Sequence, residues 1–123
     1  MLVAALASCK EEVRFAAPAE SFTQQTARIE GQASERIVAR VDSTFFSSSM
    51  VKPLLGRSIM PPDYSQGVPV AILSHAFWSE GFQQNPAVIG SRLTVDDVPV
   101  TVIGVMPDGV DFPKGVALWL PRN

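Results

Sequence analysis

The chain has 123 residues, 46% of them hydrophobic and 18% charged, with a formal net charge of −2. That length suits one domain, and that apolar share can build a packed core, which excludes a disordered chain. Lys52, Arg57, Arg92, Lys114 and Arg122 are scattered singly, so the basic stripe that nucleic-acid phosphates require is missing and no nucleic-acid partner is expected.

The sequence opens on the apolar run Met1 to Ala7, far short of the ~20 residues needed to cross a bilayer. As given, the chain is expected to be soluble. Leu6-Ala7-Ser8-Cys9 has the look of a lipoprotein-processing box, which would make a free-standing periplasmic binding module anchored at Cys9. A secretory leader carries a basic segment and a longer apolar stretch, and neither precedes Cys9. The run therefore reads as a buried strand cut at its start, with the lipoprotein as the alternative. Cys9 is the single cysteine, so no internal disulfide forms, and cysteine usage leaves the compartment open.

Residues 10–36 are polar and weakly patterned, with Ser21 to Glu30 able to supply a solvent-facing strand before a turn at Glu30-Gly31-Gln32. Ile37, Ala39 and Val41 then alternate with Arg36, Val38, Arg40 and Asp42, the period-two pattern of a half-buried strand. Asp42 and Ser43 offer a helix N-cap ahead of Thr44-Phe45-Phe46. That helix is short, because Ser47-Ser48-Ser49 propagates poorly and Pro53 ends it. Leu54-Leu55-Gly56-Arg57 leads into a loop holding Pro61-Pro62-Asp63 and Gly67.

Val68 to Leu73 is a continuous apolar run, as expected of a strand covered on both faces. Ser74 can cap a following helix that carries Phe77, Trp78 and Phe82 on one broad face. Asn85-Pro86 forms a second cap, and Gly90 suits a left-handed position. Leu93 and Val95 alternate with Arg92 and Thr94, Asp96-Asp97 intervenes, and Val98 to Val105 follows, which predicts a β-hairpin. After Met106-Pro107 the chain turns at Asp108-Gly109 and ends in a short strand, Ala117 to Pro121. The expected fold is α+β over 1–123, a single domain with a mixed or antiparallel sheet of about five or six strands and two or three short helices.

Chemical constellations are few. Ser74-His75 lacks the G-x-S-x-G elbow, and adjacent residues at a helix start point apart, so Ser74 reads as a cap and His75 as an exposed side chain. His75 is the only histidine, and Asp63, Glu80, Asp96 and Asp97 show no ligand spacing that would complete a metal site. Asp96-Asp97 reads as a turn, since calcium wants six to eight oxygens from a glycine-bearing acidic loop. Gly104 to Gly109 has no lysine and opens no helix, so it is no phosphate cradle. Arg57 suits backbone carbonyls or Asp63, with a partner-domain contact as the other use of its planar fork. Trp78 and Trp119 sit among apolar neighbours and are expected in the core. No catalytic, cofactor-binding or metal-binding residue is expected, and no enzymatic activity.

Several phrases stand in a telling order. Val41, Phe45-Phe46, Val51, Pro53 and Leu55-Gly56-Arg57 come first. Val70-Ala71-Ile72-Leu73-Ser74 with Phe77-Trp78 and Phe82 follows, then Val88-Ile89-Gly90. Val102-Ile103-Gly104-Val105-Met106-Pro107 and Phe112-Pro113 with Leu118-Trp119-Leu120-Pro121 complete the set. Over residues 36–121 this closely resembles the periplasmic core domain of ABC-transporter permeases of the MacB/FtsX type. The resemblance implies a domain between two transmembrane helices, on the periplasmic side of the bacterial inner membrane. There it would carry conformational change and meet substrates or a periplasmic protein partner. Its other partners would be its own transmembrane helices and a separate cytoplasmic ATPase, and it would hold no nucleotide itself. Relatives often carry larger apolar residues at Ser48 and Ser49, glycine at Met50, and Asn-Gly at Asp96-Asp97. With no transmembrane segment in the sequence, the chain is expected to be a fragment of such a permease.

Overall fold

The computed structural model describes residues 21–32, 35–47, 52–60, 62–63 and 69–122. The readings made for Met1 to Ala7, Cys9, Ser48 to Val51, Pro61, Gly67 and Val68 fall outside these residues. The fold is α+β, built on a mixed sheet of seven strands among the described residues.

Strand β1 (Phe22–Ala27) runs antiparallel to β2 (Arg36–Val41), from Phe22 opposite Val41 to Ala27 opposite Arg36. Gly31, at φ 92°, supplies the left-handed residue of the turn between them. Helix α1 (Ser43–Ser47) follows β2 and is capped by Asp42, whose Oδ1 accepts from the Thr44 N–H at 2.9 Å. Next come the two-residue β3 (Leu55–Gly56), then β4 (Val70–Leu73) and α2 (His75–Phe82). A 3₁₀ turn, Pro86–Val88, leads to the hairpin of β5 (Arg92–Val95) and β6 (Val98–Val105), and β7 (Val116–Pro121) is the last described strand.

The spatial order is β1-β2-β7-β4-β6-β3, with β5 also on β6. Strand β2 pairs parallel with β7, and β4 pairs antiparallel with β7 and parallel with β6. The sheet curls back on itself, because the chain just after β1 meets the hairpin. Ile29 bridges Val95, Glu30 N–H donates to Thr94 O at 2.9 Å, and Asp96 N–H donates to Arg28 O at 2.8 Å.

Both faces are covered. Helix α2 lays Phe77 and Trp78 over one face, against Val38, Leu73, Val102 and Leu118. Helix α1 lays Phe45 and Phe46 over the other, against Val41, Ile72 and Trp119, with Met106 and Val110 from the loop before β7. The period-two reading of β2 as half-buried is corrected by this arrangement. Val38 is as buried as Ala39 and Val41, since a helix lies on either side, and Arg40 alone is exposed. Strand β4 is buried throughout, as its unbroken apolar run predicts. The hairpin also forms as predicted, with φ of 49° at Asp96 and 68° at Asp97 giving the type I′ pattern.

Two readings of the middle segment change. Leu55-Gly56, expected as the way into a loop, forms a seventh strand on β6, and Pro62 and Asp63 take helical conformation. Strand β3 exists because two glycines let backbones meet. A Cβ at Gly56, which also sits at φ +72°, would strike Ile103 O; one at Gly104 would lie 2.6 Å from Arg57 O. Hydrogen bonds flank the crossing: Leu54 N–H donates to Val105 O at 2.7 Å and Arg57 N–H to Ile103 O at 2.8 Å.

Gly56→Ala and Gly104→Ala are each expected to cost about 2 kcal/mol or more in urea unfolding, because backbone cannot yield to the new methyl. Gly90→Ala, where φ is +91° and nothing lies within 4 Å, separates conformational strain from collision and should cost about 1 kcal/mol.

Candidate functional site

A cleft of about 430 Å³ opens beside the start of α2, and Arg36, Ser74, His75, Glu80, Asp108 and Asp111 are among its lining residues. It gathers Ser74, His75, Asp108 and Asp111 around one cleft, whereas the sequence reading has Ser74 and His75 pointing apart and no aspartate beside them. Their hydrogen bonds do not connect them into a nucleophile and base. Ser74 is 2% exposed, and its Oγ accepts from the Phe77 N–H at 3.2 Å as the cap of α2. The His75 ring turns along its own helix, with Nδ1 3.5 Å from Ser79 Oγ and Trp78 edge-on at 5.5 Å between centroids. Asp111 Oδ1 accepts from the Gly115 N–H at 3.0 Å, which shapes the loop before β7.

Arg36 is held by its surroundings as well. It donates to Gln32 Oε1 at 3.2 Å, lies 3.7 Å from Glu80, and rests 5.0 Å over the Phe77 ring. A guanidinium on an aromatic face is attracted to the ring's negative surface. The cleft therefore presents a mixed-charge polar wall on rigid elements. Such a wall can make contacts, and nucleophilic catalysis would need a hydroxyl free to meet a base.

The aspartates of the hairpin tip act within the fold. Asp96 Oδ1 accepts from the Arg28 N–H at 2.9 Å, which fastens the tip to the chain after β1. Asp97 faces a shallow hollow with Arg28, Glu30 and Thr94. Among the described residues, no three His, Cys, Asp or Glu side chains converge as a metal would require.

Arg57 reaches the carboxylate suggested for it. Its Nη1 donates to Asp63 Oδ2 at 2.9 Å and to Ser58 O at 3.1 Å. The same Oδ2 accepts from the Met60 N–H at 2.8 Å, while Asp63 N–H donates to Met60 O at 2.9 Å. Burial pushes the Asp63 carboxyl upward, but the Arg57 and Met60 hydrogen bonds and the Arg57 charge outweigh it and hold the group below the usual value. Leu54 and Met60, on either side of this knot, are each about half exposed. Both tryptophans are buried, and each indole donates to a carbonyl seven residues away: Trp78 to Asn85 O at 3.0 Å, Trp119 to Phe112 O at 3.1 Å. The sequence drew attention to Ser74 and His75 but not to the cleft, because its lining comes from three separate stretches of chain, at Arg36, Ser74 to Glu80 and Asp108 to Val116.

Ser74→Ala should lower stability by about 1 kcal/mol through loss of the cap, read as a shift in the urea midpoint. Asp63 contributes stability in full above its unfolded pKa of about 3.9, and loses it as pH falls through the lower folded value. Thermal melts from about pH 7 to pH 3 should therefore show a steeper acid decline for the wild type than for Asp63→Asn, which should begin roughly 1 kcal/mol less stable.

Among the described residues, no helix is long and apolar enough to cross a membrane. The family model of the MacB-like periplasmic core domain matches residues 2–122. No curated protein matches. Among solved structures, the chain is similar to the extracellular domain of the noncanonic ABC-type transporter YknZ from Gram-positive bacteria. The TM-score is 0.68 at 16% identity, covering 82% of this chain and 52% of that one. It is also similar to the periplasmic region of MacB from Actinobacillus actinomycetemcomitans, with a TM-score of 0.64 at 19% identity, over 82% of this chain and 45% of that one. The chain thus spans about half the length of either solved domain, and at these identities the likeness speaks for the fold. With the family match running almost from end to end, the chain belongs to the family of MacB-like periplasmic core domains.

Proposed function

We propose that the chain serves as the non-catalytic extracytoplasmic domain of an ABC-transporter permease on the bacterial inner membrane. In this reading it transmits conformational change as a rigid body and contacts substrate or a periplasmic protein. Its motion would come from the permease's transmembrane helices, driven by ATP hydrolysis in a cytoplasmic subunit or domain.

The observation that carries the reading is the sheet covered on both faces, with its hairpin tied back to the chain after β1. Deforming such a body exposes buried side chains, at about 1.5–3 kcal/mol for each large one. Shifting it as a unit exposes none. Close-packed interiors consequently tend to move in blocks rather than bend continuously. The cleft walls and the half-exposed Leu54, Met60 and Val98 offer places for contact. Ser74, Asp111 and the Arg36–Glu80 pair of the cleft are engaged in capping, a loop bond and an ion pair, which favours contact over bond-making.

The test uses the whole permease in lipid vesicles with Cys9→Ser. One pair of spin labels is placed at the exposed Arg40 and Asp97, and a single label reports distance to the bilayer. ATP binding should change the label-to-bilayer distance while the Arg40–Asp97 distance stays constant to within about 1 Å. A change inside the domain, or none at the bilayer, would remove the reading.

A further inference from the structure

The start of β1 and the end of β7 lie close together. Phe22 of β1 pairs with Val41, and Val41 pairs with Pro121 of β7, so the start of β1 and the end of β7 flank the end of β2. Two strand spacings separate them, roughly 10 Å. The residue after β2 is Asp42, and it bonds in three directions. Its N–H donates to Ser21 O at 2.8 Å, just ahead of β1. Its Oδ1 accepts from the Thr44 N–H at 2.9 Å and the Thr44 hydroxyl at 2.7 Å, and its carbonyl accepts from the Phe45 N–H at 3.2 Å, which opens α1. Its Oδ2 accepts from Arg122 Nη2 at 3.3 Å, just past β7.

Arg122 closes the circuit. Its N–H donates to Val41 O at 2.7 Å, and its Nη1 donates to Thr23 Oγ1 at 2.6 Å. Helix α1 carries the junction into the core, with Phe45 edge-on to Phe22 at 5.5 Å and Phe46 edge-on to Trp119 at 5.6 Å. Capping alone does not call for this chemistry. One oxygen satisfies a helix start, and Asn or Ser would cap as well as Asp. The second carboxylate oxygen is what a guanidinium requires, and it is the one facing Arg122.

We propose that Asp42 is a coupling joint: through its backbone N–H and its two carboxylate oxygens, the start of β1, the end of β7 and helix α1 open and close as one unit. Resting on the transmission reading above, this names how a displacement at the end of β7 reaches β1 and the core. Both partners are partly exposed, so the Asp42–Arg122 pair alone changes an opening equilibrium by about five-fold at most. The joint depends on the circuit rather than on one strong bond.

Native-state hydrogen exchange on the 123-residue chain tests it, because four amides report on the circuit: those of Asp42, Thr44, Phe45 and Arg122. Arg122→Gln should speed exchange at all four by about three- to five-fold, including Thr44 and Phe45, whose amides Arg122 does not bond. The amides of Ile72 and Trp119, in the sheet centre, should keep wild-type rates. Thr23→Val repeats the test with a change too slight to unfold the sheet, and should give the same four-amide pattern on a smaller scale. Acceleration confined to the Arg122 amide, or wild-type rates at Thr44 and Phe45 in both variants, would overturn the joint. Since no transport is measured, that failure would leave the transporter reading standing. Failure of the vesicle experiment would likewise leave the exchange pattern as a property of the fold.

Discussion

Each central strand of this sheet must feed two cores at once. In β7, Ala117, Leu118 and Leu120 go to the core beneath α2, whereas Val116 and Trp119 go to the core beneath α1. No position is left for a polar residue, so the strand reads as an unbroken apolar run. Strand β4 obeys the same rule. The constraint weakens toward β1, the last strand on that side among the described residues, whose Thr23, Gln24 and Thr26 are exposed.

Such a core has to satisfy the few polar atoms it swallows. Trp78 and Trp119 each bury a large ring and hand the indole N–H to a carbonyl in the following or preceding loop. An unpaired buried N–H would cost about 1–3 kcal/mol, so these two bonds also fix the loops that provide the acceptors. The glycine crossing of β3 and β6 makes a similar economy. Gly56 and Gly104 bring two backbones together where any side chain would force them apart, and the Arg57–Asp63 knot is set immediately beyond. The glycines in the two most recognisable family phrases, Leu55-Gly56-Arg57 and Val102-Ile103-Gly104-Val105, are thus two halves of one contact.

Among the described residues, the start of β1 and the end of β7 lie side by side. Only the end of β2 separates the start of β1 from the end of β7, and the Asp42 circuit binds both to the helix that plugs one core. In contrast, the cleft beside α2 carries groups that could look catalytic in isolation. Ser74 caps a helix, Asp111 shapes a loop and Arg36 rests on Phe77, so each serves the architecture first.

Local chemistry was legible in the residues alone. The caps at Asp42, Ser74 and Asn85, the acidic hairpin turn and the doubly covered β4 all depend on neighbours a few positions away, where side-chain type dictates φ, hydrogen bonding or periodicity. The family phrases were legible for the same reason, as short strings at fixed spacing. Contacts across long stretches of chain were decided only by the tertiary structure. Ile29 meets Val95, Leu55 meets Val105, and Arg122 meets Thr23 and Asp42, with nothing in the intervening sequence to announce the pairing. Val38 shows the same limit within one strand. Alternation assigned it to solvent, and a helix packed from elsewhere buried it, because periodicity records which residues share a face but not what comes to cover that face.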